Sequence, residues 1–509
     1  MTQGLTKSFV ILIATLFFSF TLQASTPPQM AQKIGVSIKS QMLNTMGEFP
    51  VLVILKQQAD LSFVNLNAPK EVRGQQVYDA LRKTAMESQR ELVSLLAKRG
   101  FEYQQFYILN MIALESATPE LVSELTGRAD VGKIINNPAI KNKFMPSNDI
   151  FNKFAQRKSE SLTAVTEGNI VSTGAERVWQ ELGITGKNIV IAGQDTGIQW
   201  DHPALKTHYR GFSPNGVNHN YNWHDAIHKP LAAGTNPCGF NSKAPCDDHG
   251  HGTHTVGTIV GDDGATRKIG MAPGAQWMGC RNMERGVGRP TTYIECFQYF
   301  LAPYPQGGNP FTDGAPAKAP HVINNSWGCP PDEGCEGGEM LPVVEALNVA
   351  GLMVVVSAGN EGSGCSTIAA PPAHFTLATL AVGAHNHRNG RIAYFSSRGP
   401  SKFDGGIGPD ITAPGVGIVS AIPGSSYSGA TWDGTSMAGP HVVGLVALMW
   451  SAKPALIGNT TATSNVIRKT ATPKTSTETC GGVTGDKIPN NTFGFGTINA
   501  YDAVKTLIQ

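Results

Sequence analysis

Apolar residues fall along this chain in short runs separated by turn-forming residues, and the spacing within the runs changes twice. Residues 8–22 form an almost unbroken apolar stretch behind Lys7, followed by Gln23-Ala24-Ser25. About 15 apolar residues fall short of the roughly 20 that cross a bilayer. A charged start and a small-residue exit make residues 1–24 a secretory signal peptide. Residues 26–45 are polar and predict no packed element. Val51–Leu55 is a continuous apolar run, as in a buried strand. Between Glu71 and Arg99, Val77, Leu81, Ala85, Leu92, Leu95 and Leu96 recur at helical spacing. Phe106–Leu114 predicts a strand. Thr118-Pro119-Glu120 supplies a cap, a proline at the first helical position and an acid in the first turn, so a helix should cover 119–125. Val131–Ile135 predicts a further strand. This β-α-β-α-β order places a small α/β plait over residues 46–140. Residues 141–168 are polar and aperiodic, as expected of a linker.

From residue 169 to 509 the texture differs. Ile189–Ala192, Val322–Asn325 and Leu352–Val356 are apolar strands that end in polar turns, and Thr253–Val260, Leu341–Ala350 and Met437–Trp450 have helical patterns between them. Strands alternating with helices predict an α/β fold, a parallel sheet with helices on both faces. Ligands of such sheets sit at the carboxyl ends of the strands, where these polar turns lie.

Composition narrows the function. The chain has 509 residues and a formal net charge of +2, with 40 Lys and Arg against 38 Asp and Glu. Nucleic acid and anionic membranes recruit a marked basic excess, which is missing. The eight cysteines all follow residue 237 and none forms a Cys-x-x-Cys pair. In an exported chain they are expected as disulfides. Cys238 with Cys246 and Cys329 with Cys335 would close short loops, and Cys365 with Cys480 would tie back the late chain. The front half carries no such tie.

Three segments carry chemistry. Asp195 ends a strand in Asp-Thr-Gly, His251 opens a helix in His249-Gly-His-Gly-Thr-His254, and Ser436 opens another in Gly434-Thr-Ser-Met-Ala-Gly-Pro440. Singly, each has an ordinary explanation: a turn acid, a loop histidine, a helix cap. Together they supply a hydroxyl too weak to attack alone, an imidazole that takes its proton near neutral pH, and a carboxylate that fixes the ring tautomer. Two other readings compete. His249, His251 and His254 form a possible zinc set, although the helical His-Glu-x-x-His arrangement is absent. A catalytically inactive binding protein could also be built on the same fold.

These motifs, with Ser357-Ala-Gly-Asn360, resemble those of the subtilisin-like serine proteases (subtilases), in the order Asp…His…Ser. Asn325-Ser-Trp-Gly328 is most similar to the bacillopeptidase F-like branch. The resemblance implies a secreted, extracellular serine endopeptidase with Asp195, His251 and Ser436 as triad and Asn360 as an oxyanion donor. It also implies that Ser326, Trp327 and Gly328 bind the substrate backbone and its pocket. Ala369 would stand at the pocket floor in place of the family's glycine, giving a shallow apolar pocket. Gln194 departs from the aliphatic residue usual before the aspartate. Residues 46–140 resemble the subtilase prodomain, through Leu109–Glu115 and Ala129–Ile135. They would act as an intramolecular inhibitor, cut away within the 141–168 linker by the enzyme itself. No cofactor is implied for catalysis. Structural Ca2+ is conceivable near Asp247-Asp248 or Asp262-Asp263, without assigned ligands. Implied partners are polypeptide substrates and the prodomain, with neither nucleic acid nor membrane after signal cleavage, and the enzyme would be a monomer.

Overall fold

The computed structural model describes Met1 and residues 33–44, 47–142, 165–370 and 372–509. The expected signal peptide, apart from Met1, and residues 143–164 of the expected linker lie outside the described residues.

The front unit is a four-stranded antiparallel sheet in the order β2-β3-β1-β4, with β1 Phe49–Leu55, β2 Tyr103–Phe106, β3 Met111–Ala117 and β4 Val131–Asn136. Helices α1 (Val36–Asn44), α2 (Lys70–Ser88), α3 (Arg90–Lys98) and α4 (Pro119–Thr126) accompany it. Three expectations change here. Residues 36–44 are helical, and Ile38 is buried in the same core as Val51, Val53 and Ile112. The long helix divides at Gln89, whose backbone N–H still donates to Ala85 O (3.0 Å) while its buried side-chain amide donates to Phe106 O (2.8 Å) and Asn110 Oδ1 (2.8 Å). The Phe106–Leu114 run is no single strand. It turns back at Tyr107–Asn110 and pairs Phe106 with Met111, because its apolar residues are buried on both sides of a hairpin. Thr118 caps α4 as its sequence predicts, accepting from Leu121 N at 3.2 Å.

The second unit holds a seven-stranded, wholly parallel sheet. Across the sheet the strands are Trp223–Asp225, Gln276–Arg281, Val190–Asp195, Val322–Asn325, Met353–Ser357, Leu380–His385 and Ile411–Pro414. The helix Thr435–Ala452 is buried from Thr435 through Trp450 and runs against the central strands and the helix His251–Val260. Both helices begin at the carboxyl edge of the sheet, bringing residues from three strand ends and two helix N-termini to one place. All four cysteine pairs are bonded: 238–246, 280–296, 329–335 and 365–480. Among the described residues no helix is long and apolar enough to cross a membrane.

The two units share one apolar core. Leu52, Val77 and Tyr107 pack with Phe297, Phe300 and Leu347. Gln298, on the helix Pro290–Leu301, accepts through its side-chain oxygen from Tyr107 N (2.7 Å) and Ile108 N (3.2 Å), which satisfies the hairpin turn. Buried Arg73 donates to Val349 O, Asn348 O and Gly458 O at 2.7, 2.6 and 2.8 Å. Glu115 pairs with Arg289 and Lys229, both at 3.0 Å. The described ends of the linker are ordered: Ile140–Lys141 pairs with Val287–Gly288, and Val165–Thr166 with Arg267–Lys268.

Candidate active site

Asp195 closes its strand because the polar Thr196-Gly197 turn follows. Its carboxylate is buried and lies 2.7 and 2.9 Å, through Oδ1 and Oδ2, from His251 Nδ1. The neighbouring strand fixes its backbone, with Asn282 N donating to Asp195 O at 2.9 Å. Asp247 holds the helix that carries His251. Its Oδ1 accepts from His249 N (3.0 Å), Gly250 N (2.7 Å) and Thr196 Oγ1 (2.9 Å), and its Oδ2 from Thr253 N (2.9 Å) and Oγ1 (2.6 Å). A carboxylate accepting from free amides at a helix start satisfies groups that would otherwise be orphaned there. Gly252 is required by close approach: a Cβ there would stand 2.0 Å from Gly197 O and 2.9 Å from Asp195 Cβ.

His251 is fully buried, and its Nε2 has no hydrogen-bond partner among the described residues. With Nδ1 on the carboxylate, the second ring nitrogen is the one available as a base. Ser436, 3% exposed, sits in the first turn of the following helix, and its hydroxyl donates to Ser326 O at 3.2 Å. Ser326 Oγ in turn donates to Ser436 O at 3.2 Å and accepts from Asn324 Nδ2 at 2.9 Å. Asn360 Oδ1 accepts from Thr435 N (2.8 Å) and Thr435 Oγ1 (2.9 Å). Two donors on the oxygen settle which way the amide points and turn its NH2 away from the helix.

Ser326, Trp327, Gly328, Asn360 and Ser436 line one cavity of about 260 Å³. Trp327 stacks on Tyr293 with ring centroids 3.9 Å apart. Ala370 and Ala373 line the cavity, and Ala369 does not, its carbonyl lying 3.1 Å from His374 Nδ1. Nor is the lining purely apolar, because Asp332, Glu333 and Glu361 share it. The front unit reaches into the same space. Ile140 and Lys141 pair antiparallel with Gly288 and Val287, Asn142 N donates to Gly286 O at 2.8 Å, and all three tail residues line the cavity.

Gln194 is buried and bonds within the site: its Nε2 donates to Asn325 Oδ1 and its Oε1 accepts from Asn282 Nδ2 at 3.2 Å. This polar cross-link between strands explains a residue that looked out of place in the sequence. Buried Arg281 pairs with Asp225 (2.9 Å) and Asp248 (3.4 Å); burial, opposed by Arg281, pushes the Asp248 carboxyl up to about 7.

The three histidines of the alternative zinc set do not converge. His254 stacks on Trp432 at 4.4 Å with its Nε2 toward Ile418 O, and burial pulls it down to about 3. Among the described residues no three potential ligands come together. The acid pairs considered for calcium serve turns. Asp247 caps a helix as described, and Asp263 Oδ1 accepts from the backbone of Ala265, Thr266 and Arg267 at 2.9, 2.7 and 2.9 Å. Sequence reasoning passed over the Val287–Gly288 edge, the strand partners of Gln194 and the acidic lining that the Cys329–Cys335 loop gives the cavity. Only the last had a visible signal, two cysteines enclosing Pro-Pro-Asp-Glu-Gly.

Fold and site define a class: an α/β protein with a buried aspartate–histidine pair and a helix-start serine at strand ends of a parallel sheet. The chain belongs to the subtilase family, whose description matches residues 186–496. It is 35% identical over 449 residues to Bacillopeptidase F of Bacillus subtilis (strain 168), covering 85% of this chain and 28% of that protein. It is 32% identical over 278 residues to Subtilisin E of the same strain, covering 53% of this chain and 58% of that protein. Subtilisin Savinase of Lederbergia lenta is 29% identical over 324 residues, 64% of this chain and 93% of that protein. The chain thus spans 28% of Bacillopeptidase F and 58% of Subtilisin E.

Proposed function

We propose that this chain is an exported serine endopeptidase made as a self-processed precursor. The observation that carries the reading is the buried Asp195–His251 pair with Nε2 left over, on a helix packed against the one that bears Ser436. Asp195 holds His251 with its proton on Nδ1 and stabilises the imidazolium. Nε2 takes the Ser436 proton as Oγ attacks the peptide carbonyl, once the hydroxyl has turned from Ser326 O. The oxyanion meets Ser436 N–H and the Asn360 NH2, donors of a kind worth about 3–4 kcal/mol each in barrier. His251 then protonates the leaving amine, and water, activated by the same base, releases the acyl group. Nucleophile, base and oxyanion donors are all protein groups, so the chemistry asks for no metal or cofactor.

Residues 46–140 act as the inhibitory prodomain of this reading. Its support is the tail strand at Ile140–Lys141, which adds to the edge at Val287–Gly288 as a peptide substrate would. Processing within the 141–168 linker then separates a front unit that shares no disulfide with the rest. The signal peptide of residues 1–24 places the mature monomer outside the cell, acting on polypeptides. The test is Ser436→Ala expressed as the full chain. An unprocessed precursor in the exported fraction is expected, and normal maturation of that variant refutes self-processing.

A further inference from the structure

Gln194 and Asn325 are register partners on neighbouring strands, and each immediately precedes a residue of the site, Asp195 and Ser326. Successive side chains of a strand point to opposite faces of the sheet. Ala192 belongs to the apolar core that holds Tyr293 and Phe297, and Ile191 to the one that holds Val256 and Val442. Gln194 therefore lies on the Ala192 side, and Asp195 on the side of the helix that carries His251.

On its side Gln194 ties strand ends together. Its Nε2 donates to Asn325 Oδ1, and its Oε1 accepts from Asn282 Nδ2 at 3.2 Å. Asn325 extends the link to the next strand, its Nδ2 donating to Val355 O at 3.1 Å. Asn282 returns it to the aspartate, its N–H donating to Asp195 O at 2.9 Å while its carbonyl accepts from Thr292 Oγ1 at 2.7 Å. The four strand ends joined in this way are adjacent in the sheet. Gln194, Asn282 and Asn325 are fully buried, and Asn282 Oδ1 has no hydrogen-bond partner among the described residues. Apolar side chains would fill this layer without stranding an acceptor, so what the link adds is directional: it fixes the offset between the strand ends. That offset bears on two contacts across the site. Asp195 Oδ1 and Oδ2 lie 2.7 and 2.9 Å from His251 Nδ1, and Ser326 exchanges two hydrogen bonds of 3.2 Å with Ser436.

We infer that Gln194 is a positioning residue for peptide hydrolysis: through Asn325 and Asn282 it holds the Asp195 and Ser326 strand ends at one spacing, and so aligns His251 with Ser436. This rests on the triad reading and adds to it a residue that touches neither substrate nor the reacting atoms.

The test compares the processed wild-type chain with Gln194→Met, which keeps the length of the side chain and removes both of its bonds. Ser436 is labelled to completion with a fluorophosphonate to count active sites, and kcat and KM for a chromogenic peptide are expressed per labelled site, well below the unfolding midpoint. A misplacement of about 1 Å costs about 10²-fold, so kcat per labelled site should fall about tenfold to a hundredfold, with KM within about threefold of wild type. A merely structural role would lower the unfolding midpoint and the number of labelled sites and leave kcat per site unchanged. Asn325→Ala should lose kcat in the same way, and the double variant should lose little more than the worse single one, because both break one link. A folded Gln194→Met variant whose kcat per site stays within about threefold of wild type overturns the positioning role. Losses that multiply in the double variant overturn the route through Asn325. A wild-type chain that takes no label on Ser436 overturns the triad reading itself. Where Gln194→Met does not fold, Asn325→Ala decides the question on the same kcat readout.

Discussion

Asn360→Asp isolates one amide group. Aspartate keeps the oxygen that accepts from Thr435 N and Oγ1 at 2.8 and 2.9 Å, so the start of the Ser436 helix stays held. What changes is the other atom, from an NH2 donor to an anionic oxygen. Loss of one oxyanion donor costs about 3–4 kcal/mol, a factor of roughly 10²–10³ in kcat. The new charge faces the developing oxyanion and can only add to that. KM should hardly move, because the lost interaction forms chiefly in the transition state. Asn360→Ala should differ in kind. It removes the same donor and also strands the Thr435 N–H and hydroxyl, costing about 1–3 kcal/mol of stability. The assay is steady-state hydrolysis of a chromogenic peptide, normalised to folded protein by thermal unfolding. A folded Asn360→Asp variant with kcat within about threefold of wild type would refute the assigned donor role.

Arg73→Ala removes three hydrogen bonds from the front unit to the carbonyls of Val349, Asn348 and Gly458. At a non-additive total of about 3 kcal/mol, the isolated front unit should inhibit the processed enzyme about 100-fold more weakly; unaltered inhibition contradicts the interface. The Glu295 charge, against burial, raises His228 to about 9, so its contribution to stability is complete below pH 6.5 and fades as pH rises through 9. His228→Gln should flatten that alkaline decline in unfolding midpoints, and an identical pH profile removes the pair as its cause. Breaking Cys365–Cys480, which closes 115 residues, should destabilise the folded chain by up to about 4–5 kcal/mol in a chain-entropy account. A double Cys→Ala variant melting with the wild type would show that the late chain is held by packing alone.

The residues proposed as a triad stand out because they sit in contiguous motifs at element ends, and the parallel sheet was legible from three of its seven strands alternating with helical segments. Three of the four cysteine pairs match pairings offered from the sequence, two closing short loops and one tying back the late chain. Cys280–Cys296 did not, since it joins a strand to the next helix and depends on their packing. The hairpin at Tyr107–Asn110 stayed hidden because residues 106–109 and 111–114 are equally apolar and no Gly or Pro marks the turn. Gln298, on a distant helix, satisfies its amides instead. The break at Gln89 was hidden for the same reason: glutamine is a good helix former, and only the tertiary bonds to Phe106 O and Asn110 explain its burial.

The account turns on Asp195, His251 and Ser436 acting as one unit, and the most direct measurement is the labelling rate of the processed chain with a fluorophosphonate, read by peptide mass spectrometry. A single label on Ser436, whose rate falls by about 10³ or more in His251→Ala, is the expected result. A label on another residue, or a rate that survives loss of His251, would contradict it.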